Sequence, residues 1–230
     1  MTTVRAYVGL GANVGDARQT LSRAVHALAA LPGARVAGVS RLYVTTPVEV
    51  RDQPDFRNAV VALDVPSGRG RRRGAGARRG SAGAEGLPAG PNEATGPNEA
   101  TGPIALLLAL KSIERAFGRI ERFRYGPREL DLDLLLFGEE SLVVERPPEG
   151  RSVDPTKAEA TKFLEIPHPE ARRRLFVLAP LADLAPDLVP PGWSETVAQA
   201  RARQESIEGA SAVRPVARWD IASKDWVDLS

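Results

Sequence analysis

Apolar residues recur along the chain in two rhythms, and the order in which those rhythms change predicts a fold. Residues 7–10 follow an apolar start and read as a short strand, ended by the turn Gly11-Ala12-Asn13-Val14-Gly15. A helix begins next. Asp16 is placed to cap it with Gln19 three residues on, and Leu21, Val25, Leu28 and Leu31 form its buried stripe. Residues 36–44 and 58–65 read as strands, separated by a polar, Pro-containing loop over residues 45–57. Further on, Leu106, Leu110, Ile113 and Phe117 share one helix face, and Gly118 stands where a C-terminal cap belongs. Residues 130–137 make the fourth strand. The order βαββαβ predicts an α+β fold, a ferredoxin-like antiparallel sheet with two helices packed on one face.

That topology has two distinct ends, because strands one and two run one way and strands three and four the other. Asn13, the 45–57 loop, Asn58, the end of the second helix near Glu114 and residues 119–133 collect at one end. The segment between the third strand and the second helix leaves from the other.

This segment, residues 67–102, interrupts the pattern. It holds 10 of the chain's 21 Gly, almost no large apolar residue, and the hexapeptide Gly-Pro-Asn-Glu-Ala-Thr twice in succession. Such a composition predicts a disordered insertion, and two polar copies are too few for a solenoid. Residues 147–162 mix Pro, Gly and charge and read as a second irregular loop. The 230 residues, 43% of them hydrophobic, therefore predict one domain over 1–210, broken by these two segments, with 211–230 as a C-terminal tail. Trp219 and Trp226 suit that tail to docking on the body, with no readable function.

The pI near 9.2 invites a nucleic-acid reading. Charge placement argues against it. Six Arg and three Glu fall in the insertion, so a net +3 sits there and the rest of a chain of net charge +2 is close to neutral. With no Cys and only His26 and His168, thiolate zinc sites and three-His sites within one chain are excluded, and any metal has to sit on oxygen. The longest mainly apolar stretch is far shorter than the roughly 20 residues of a membrane span, so the expected setting is the cytoplasm.

The candidate chemistry begins at Asp131-Leu132-Asp133. A period of two puts both carboxylates on one strand face, with Leu130, Leu132 and Leu134 on the other. Side by side, two such acids repel unless a cation neutralises them, and Mg²⁺ favours carboxylate and phosphate oxygens. A solvated strand face is the competing reading. Arg119, Arg122, Arg124 and Arg128 lie just upstream, with Gly126-Pro127 setting a turn, so guanidinium groups stand beside the acids as in a phosphoryl-transfer site. Gly9-x-Gly11-x3-Gly15 misses the dinucleotide-binding spacing, and no phosphate-cradling P-loop occurs. His26 reads as a helix-surface residue. His168, in Ile166-Pro167-His168-Pro169 before a helix expected to contain Arg172, Arg173 and Arg174, fits either a phosphate contact or a turn-stabilising hydrogen bond.

Four segments together resemble a known family. Gly9-Leu-Gly-Ala-Asn13, Asp52-Gln-Pro-Asp-Phe-Arg-Asn58, Gly126-Pro-Arg-Glu-Leu-Asp-Leu-Asp133 with Leu136-Phe137-Gly138, and Ile166-Pro-His-Pro169 leading to Phe176 are similar to the 6-hydroxymethyl-7,8-dihydropterin pyrophosphokinases of folate synthesis. The resemblance covers residues 4–65, 104–145 and 164 to about 200. It implies transfer of the β,γ-pyrophosphoryl group of ATP to the pterin hydroxymethyl oxygen, with release of AMP and use of two Mg²⁺ ions. By resemblance Asp131 and Asp133 hold the metals, and Arg119 and Arg128 grip the triphosphate and stabilise the transition state. His168 and Arg174 contact ATP phosphates, and Glu114 matches an ATP-site acid. Thr45, Thr46, Val48, Phe56 and Asn58 match the pterin side, where Asn58 reads the ring's polar edge and Phe176 stacks on it; Asn13 matches the pterin-side turn.

Two departures stand in the 118–129 loop: Tyr125 where the family often has Trp, and Glu121 where a second basic residue is usual. The leading reading is a monomeric Mg²⁺-dependent enzyme taking ATP and a reduced pterin, without nucleic-acid or membrane partners, whose 45–57 and 118–129 loops close over both substrates. The alternative, a non-enzymatic ferredoxin-like RNA-binding module, lacks the aromatic strand pattern that stacks bases.

Overall fold

A computed structural model of the chain describes residues 2–46, 53–67, 102–118, 128–150 and 163–229. Nine strands and four helices occur among them: β1 (Thr3–Ala12), α1 (Ala17–Ala29), β2 (Arg35–Val39), β3 (Leu42–Thr45), β4 (Phe56–Pro66), α2 (Pro103–Ala116), β5 (Asp131–Phe137), β6 (Leu142–Glu145), β7 (Phe163–Ile166), α3 (Leu175–Leu184), α4 (Val197–Glu208), β8 (Val213–Asp220) and β9 (Asp225–Asp228). The main sheet runs β5-β1-β4-β3-β8-β9, with β2 also paired to β4, and its ladders are antiparallel. Taken in chain order, the first four strand positions give the ferredoxin-like arrangement that the periodicity predicts.

Local sequence explains the element ends. Asp16 accepts the Gln19 amide at 3.0 Å and caps α1, whose Leu21, Val25 and Leu28 are buried. Gly118, at φ +73°, supplies the left-handed turn after α2. The single strand expected over 36–44 is broken into β2 and β3 at Ser40, whose side-chain oxygen accepts the Val60 amide at 2.9 Å while its own amide bonds the Val60 carbonyl at 3.0 Å. The expected helix over Arg172–Arg174 is also displaced. Residues Ala171–Arg173 form a single 3₁₀ turn, Arg174 is extended, and α3 starts only at Leu175.

The sheet is covered on both faces. Ala6, Val8, Leu10, Val61, Leu63, Leu132 and Leu134 face α1 and α2, whereas Tyr7, Val60, Ala62, Leu135 and Leu136 face α3 and α4. Because β1 is buried on both sides, it shows no alternation of polar and apolar residues. Its sequence pattern therefore understates its length of 10 residues.

Residues 211–230, set apart above as a tail, contribute β8 and β9 to the main sheet. Val213 to Ala217 register against Thr45 to Leu42, and Trp226, 1% exposed, donates its ring N–H to the Ser40 carbonyl at 3.0 Å. Trp219 meets Trp226 edge-on at 4.8 Å, and the Lys224 carbonyl lies 2.9 Å from His26 Nε2. Burial of an indole of this size contributes on the order of 3 kcal/mol. The hairpin thus braces β3, the strand leading into the 45–57 loop. The expected disordered insertion falls mainly on residues 68–101, and the irregular loop on 151–162, outside the described residues.

Candidate active site

The carboxylate pair lies where β5 meets the glycines of β1. Asp131 registers with Gly11 and Asp133 with Gly9, and all four line one cleft on the α3 side of the sheet. Asn58, Val60, Leu135 and Phe176 are among its other walls. Alternation along β5 explains the geometry: Leu130, Leu132 and Leu134 are buried toward α2, so the two acids emerge together on the opposite face. The glycines matter because they keep the floor low. A Cβ added to Gly11 would meet Asn58 Oδ1 at 3.3 Å, and one on Gly9 would meet the Leu135 methyls at 3.5 Å. A larger hollow of about 400 Å³ lies by the start of α1 and the β8–β9 hairpin. It is lined by Asn13 among others, shares no lining residue with the cleft and lacks the Asp131–Asp133 pair.

Several expected site residues come together here. Arg128 bonds Asp131 through Nη1, which places a guanidinium group directly beside the acids. Asn58, 6% exposed, donates its side-chain amide to Thr45 Oγ1 at 2.8 Å, which ties β3 to this wall of the cleft. Phe176 enters in the first turn of α3. The Arg174 guanidinium lies over its ring at 5.8 Å and pairs with Glu170 at 3.6 Å.

The start of α3 is held firmly. The Leu175 amide donates to Glu208 Oε1 at 3.0 Å, and Arg172 and Arg203 both bind Glu195, holding its carboxyl below the usual glutamate range chiefly through the Arg203 hydrogen bond. At the far end of α3, Asp183 accepts from Arg41 Nε at 3.1 Å and from the Tyr43 hydroxyl at 2.9 Å. Burial first, and the Asp183 carboxylate second, push the Tyr43 phenol above its ordinary value.

Other expected residues have different surroundings. Asn13, 3% exposed, spends its side chain on the protein itself: it accepts the Arg128 amide at 2.8 Å and donates to Gln53 Oε1 at 3.0 Å and the Pro54 carbonyl at 3.1 Å. Phe56 is half-buried at the start of β4, and Thr46 is exposed just beyond β3. His168 Nδ1 lies 3.3 Å from the Glu170 amide, the turn-stabilising bond, and its own amide donates to the Leu135 carbonyl at 2.8 Å. Leu135 is available because the β1–β5 register skips it. Glu114 reaches β5 from the α2 side rather than from the cleft. It is 3% exposed, bonded to Lys111 Nζ through both oxygens at 2.9 Å and to the Leu132 amide at 2.7 Å. Arg119, Val48, Glu121 and Tyr125 lie outside the described residues.

Sequence reasoning missed Lys111, and it weighed Gly9 and Gly11 as a nucleotide fingerprint and as part of the resembling Gly9–Asn13 segment without giving them a place in the cleft floor. The signal for Lys111 was present: it and Glu114 extend the apolar stripe of Leu107 and Leu110, where an unpaired charge would be costly.

The acids suit a hard cation. Both supply oxygen to one cleft, and no cluster of three or more His, Cys, Asp or Glu side chains that could hold a metal occurs among the described residues. A two-carboxylate set leaves the remaining positions to water and phosphate oxygens, as Mg²⁺ prefers.

Comparison with known proteins gives a consistent picture. The model of the 7,8-dihydro-6-hydroxymethylpterin-pyrophosphokinase family matches residues 7–69 and 91–186. The 2-amino-4-hydroxy-6-hydroxymethyldihydropteridine pyrophosphokinase of Pseudomonas aeruginosa is 36% identical over 184 residues, which cover 80% of this chain and 82% of that protein. Its counterpart from Methylorubrum extorquens is 37% identical over 202 residues, covering 86% and 92%. In fold the chain is similar to wild-type Plasmodium falciparum HPPK-DHPS, crystallised with pterin and p-hydroxybenzoate, with a TM-score of 0.64 at 14% identity. That match covers 99% of this chain and 48% of the other, so this chain spans about half its length.

Proposed function

The chain belongs to the 7,8-dihydro-6-hydroxymethylpterin-pyrophosphokinase family, and from that premise we propose that it transfers pyrophosphate from ATP to 6-hydroxymethyl-7,8-dihydropterin in folate biosynthesis. The observation that carries the reading is the convergence of Asp131, Asp133, Asn58 and Phe176 on one glycine-floored cleft. The RNA-binding alternative has no support in the family or the relatives.

In this reading the pterin lies toward Asn58, Thr45, Thr46, Val48 and Phe56, with Phe176 against its ring face. The Asn58 amide, fixed by Thr45, is oriented before the substrate arrives, which lowers the ordering cost of recognition. Asp131 and Asp133 would hold two Mg²⁺ ions, which when bound would supply neutralisation of the triphosphate charge. Arg128 and Arg119 grip the phosphates, and His168 and Arg174 add contacts to them. Arg128 is tied to Asp131, so its charge is already beside the carboxylate pair.

The pterin hydroxymethyl oxygen attacks the β-phosphorus, the bond from that phosphorus to the bridging oxygen of the α-phosphate breaks, and AMP leaves carrying the electron pair. The hydroxyl proton passes to solvent. The cleft is built from the chain's own elements, which suits a monomer acting in the cytoplasm. No helix among the described residues is long and apolar enough to cross a membrane. ATP isotopically labelled at its β-phosphorus tests the bond choice. The label is expected on the pterin, and label retained in a nucleoside diphosphate would overturn the reading.

A further inference from the structure

Among the described residues β5 is the terminal strand of the main sheet, so the main-chain groups it turns away from β1 have no further described strand to meet. At Leu132, between the two acids, they meet side chains instead. Its amide donates to Glu114 Oε1 at 2.7 Å and its carbonyl accepts from Lys111 Nζ at 3.3 Å. Lys111 and Glu114 are three residues apart on α2, bonded to each other, with side chains only 8% and 4% exposed.

A buried ion pair is a poor stabiliser in itself. Removing two charges from water offsets most of their attraction, and an apolar pair of the same volume serves a core equally well. An apolar pair has no donor or acceptor for Leu132, however, and an uncapped N–H and C=O at this buried position would each carry a desolvation cost. The charges therefore do at this one residue what a neighbouring strand does elsewhere.

We propose that Lys111 and Glu114 are positioning residues for the carboxylate pair: by holding both main-chain groups of Leu132, they fix the pleat from which Asp131 and Asp133 project into the cleft. This rests on the reading of those acids as the metal-holding pair. It gives Glu114 a task distinct from contact with the nucleotide. Supporting shells of this kind change metal affinity without touching the metal.

Two measurements test it, one needing neither metal nor turnover. Amide hydrogen exchange of the metal-free wild-type protein should show Leu132 strongly protected although it sits on a terminal strand. The variant K111M/E114L should expose that amide, whereas K111M/E114Q, which keeps an acceptor for it, should restore protection. In AMP release at saturating ATP, K111M/E114L should raise the Mg²⁺ concentration for half-maximal rate by about 10- to 100-fold with the pterin KM unchanged, and K111M/E114Q, which keeps only the cap on the Leu132 amide, should raise it less. A purely structural pair would lower Tm and leave the Mg²⁺ response alone. A nucleotide ligand would raise the ATP KM instead. Either result, or a Leu132 amide that exchanges freely in the wild type, overturns the proposal. Failure of the underlying reading looks different: D131N would then leave the Mg²⁺ response unchanged while Leu132 remained protected.

Discussion

Asn13 and Arg128 hold each other twice: the Asn13 amide donates to the Arg128 carbonyl at 3.0 Å, and the Arg128 amide donates back to Asn13 Oδ1 at 2.8 Å. The same Asn13 side chain donates to Gln53 and Pro54. One buried residue thus ties the turn after β1 to the approach to β4 and to the arginine beside the carboxylates. Replacing it with Ala leaves the Arg128 amide and the Pro54 carbonyl without these partners, a cost of about 1–3 kcal/mol for each group that stays buried. We expect N13A to lower Tm and reduce kcat together. N13D, which keeps only the acceptor, should lie between N13A and the wild type. A fully active and equally stable N13A would remove Asn13 from this role.

The acids of β5 separate function from folding. Both are only partly buried, and neither belongs to the apolar core. D131N and D133N should therefore keep their far-UV circular dichroism and Tm within a few degrees while turnover falls by about 100-fold or more. Unchanged turnover in either variant would dismiss the metal-site assignment.

Ser67 and Gly102, which flank the 68–101 segment, are neighbours. A Cβ on Gly102 would lie 3.9 Å from the Ser67 carbonyl oxygen, and Ser67 is tied to Thr2 at the start of β1. Asn58 and Pro66 lie eight residues apart along β4, roughly 26 Å at the usual strand rise. Replacing residues 68–101 with a short Gly/Ser turn should leave kcat and both KM values within about twofold, because closing a shorter loop costs little entropy. A large loss of turnover by a folded deletion variant would place the segment in the active machinery.

Asp64 on β4 receives Arg5 from β1 at 2.6 Å and Arg35 from β2. The Arg5 hydrogen bond is the main cause of its carboxyl lying below the ordinary aspartate value. A depressed folded pKa contributes stability that is fully present above the unfolded value of about 3.9 and is lost as pH falls through the folded one. Unfolding measured from pH 6 to pH 2 should show D64N losing less stability than the wild type over the acid limb. High salt should narrow the difference, because Arg5 and Arg35 are substantially exposed. Identical acid limbs would show that the cluster contributes nothing.

The sequence carried the central βαββαβ order because α1 and α2 are amphipathic and β5 has clean alternation on its acidic half. It underread β1, which is buried on both faces, and it merged β2 with β3 because the Ser40 bond to Val60 leaves no periodic trace. The β8–β9 hairpin was illegible for a related reason: Trp219 and Trp226 signal burial, but only the sheet's open edge at β3 shows where. At the site, the carboxylates, Asn58 and Phe176 were named from motif, and the structure places them on one cleft. The Lys111–Glu114 pair was not. Its meaning depends on the edge of β5, a property of the assembled sheet rather than of α2.

The central claim concerns which bond of ATP is broken. Incubating the full chain with ATP, Mg²⁺ and 6-hydroxymethyl-7,8-dihydropterin and separating the nucleotides decides it. AMP formed in equal amount with a pterin diphosphate, and only when the pterin is present, is the predicted result; pterin-dependent ADP, or no pterin-dependent nucleotide product, would contradict it.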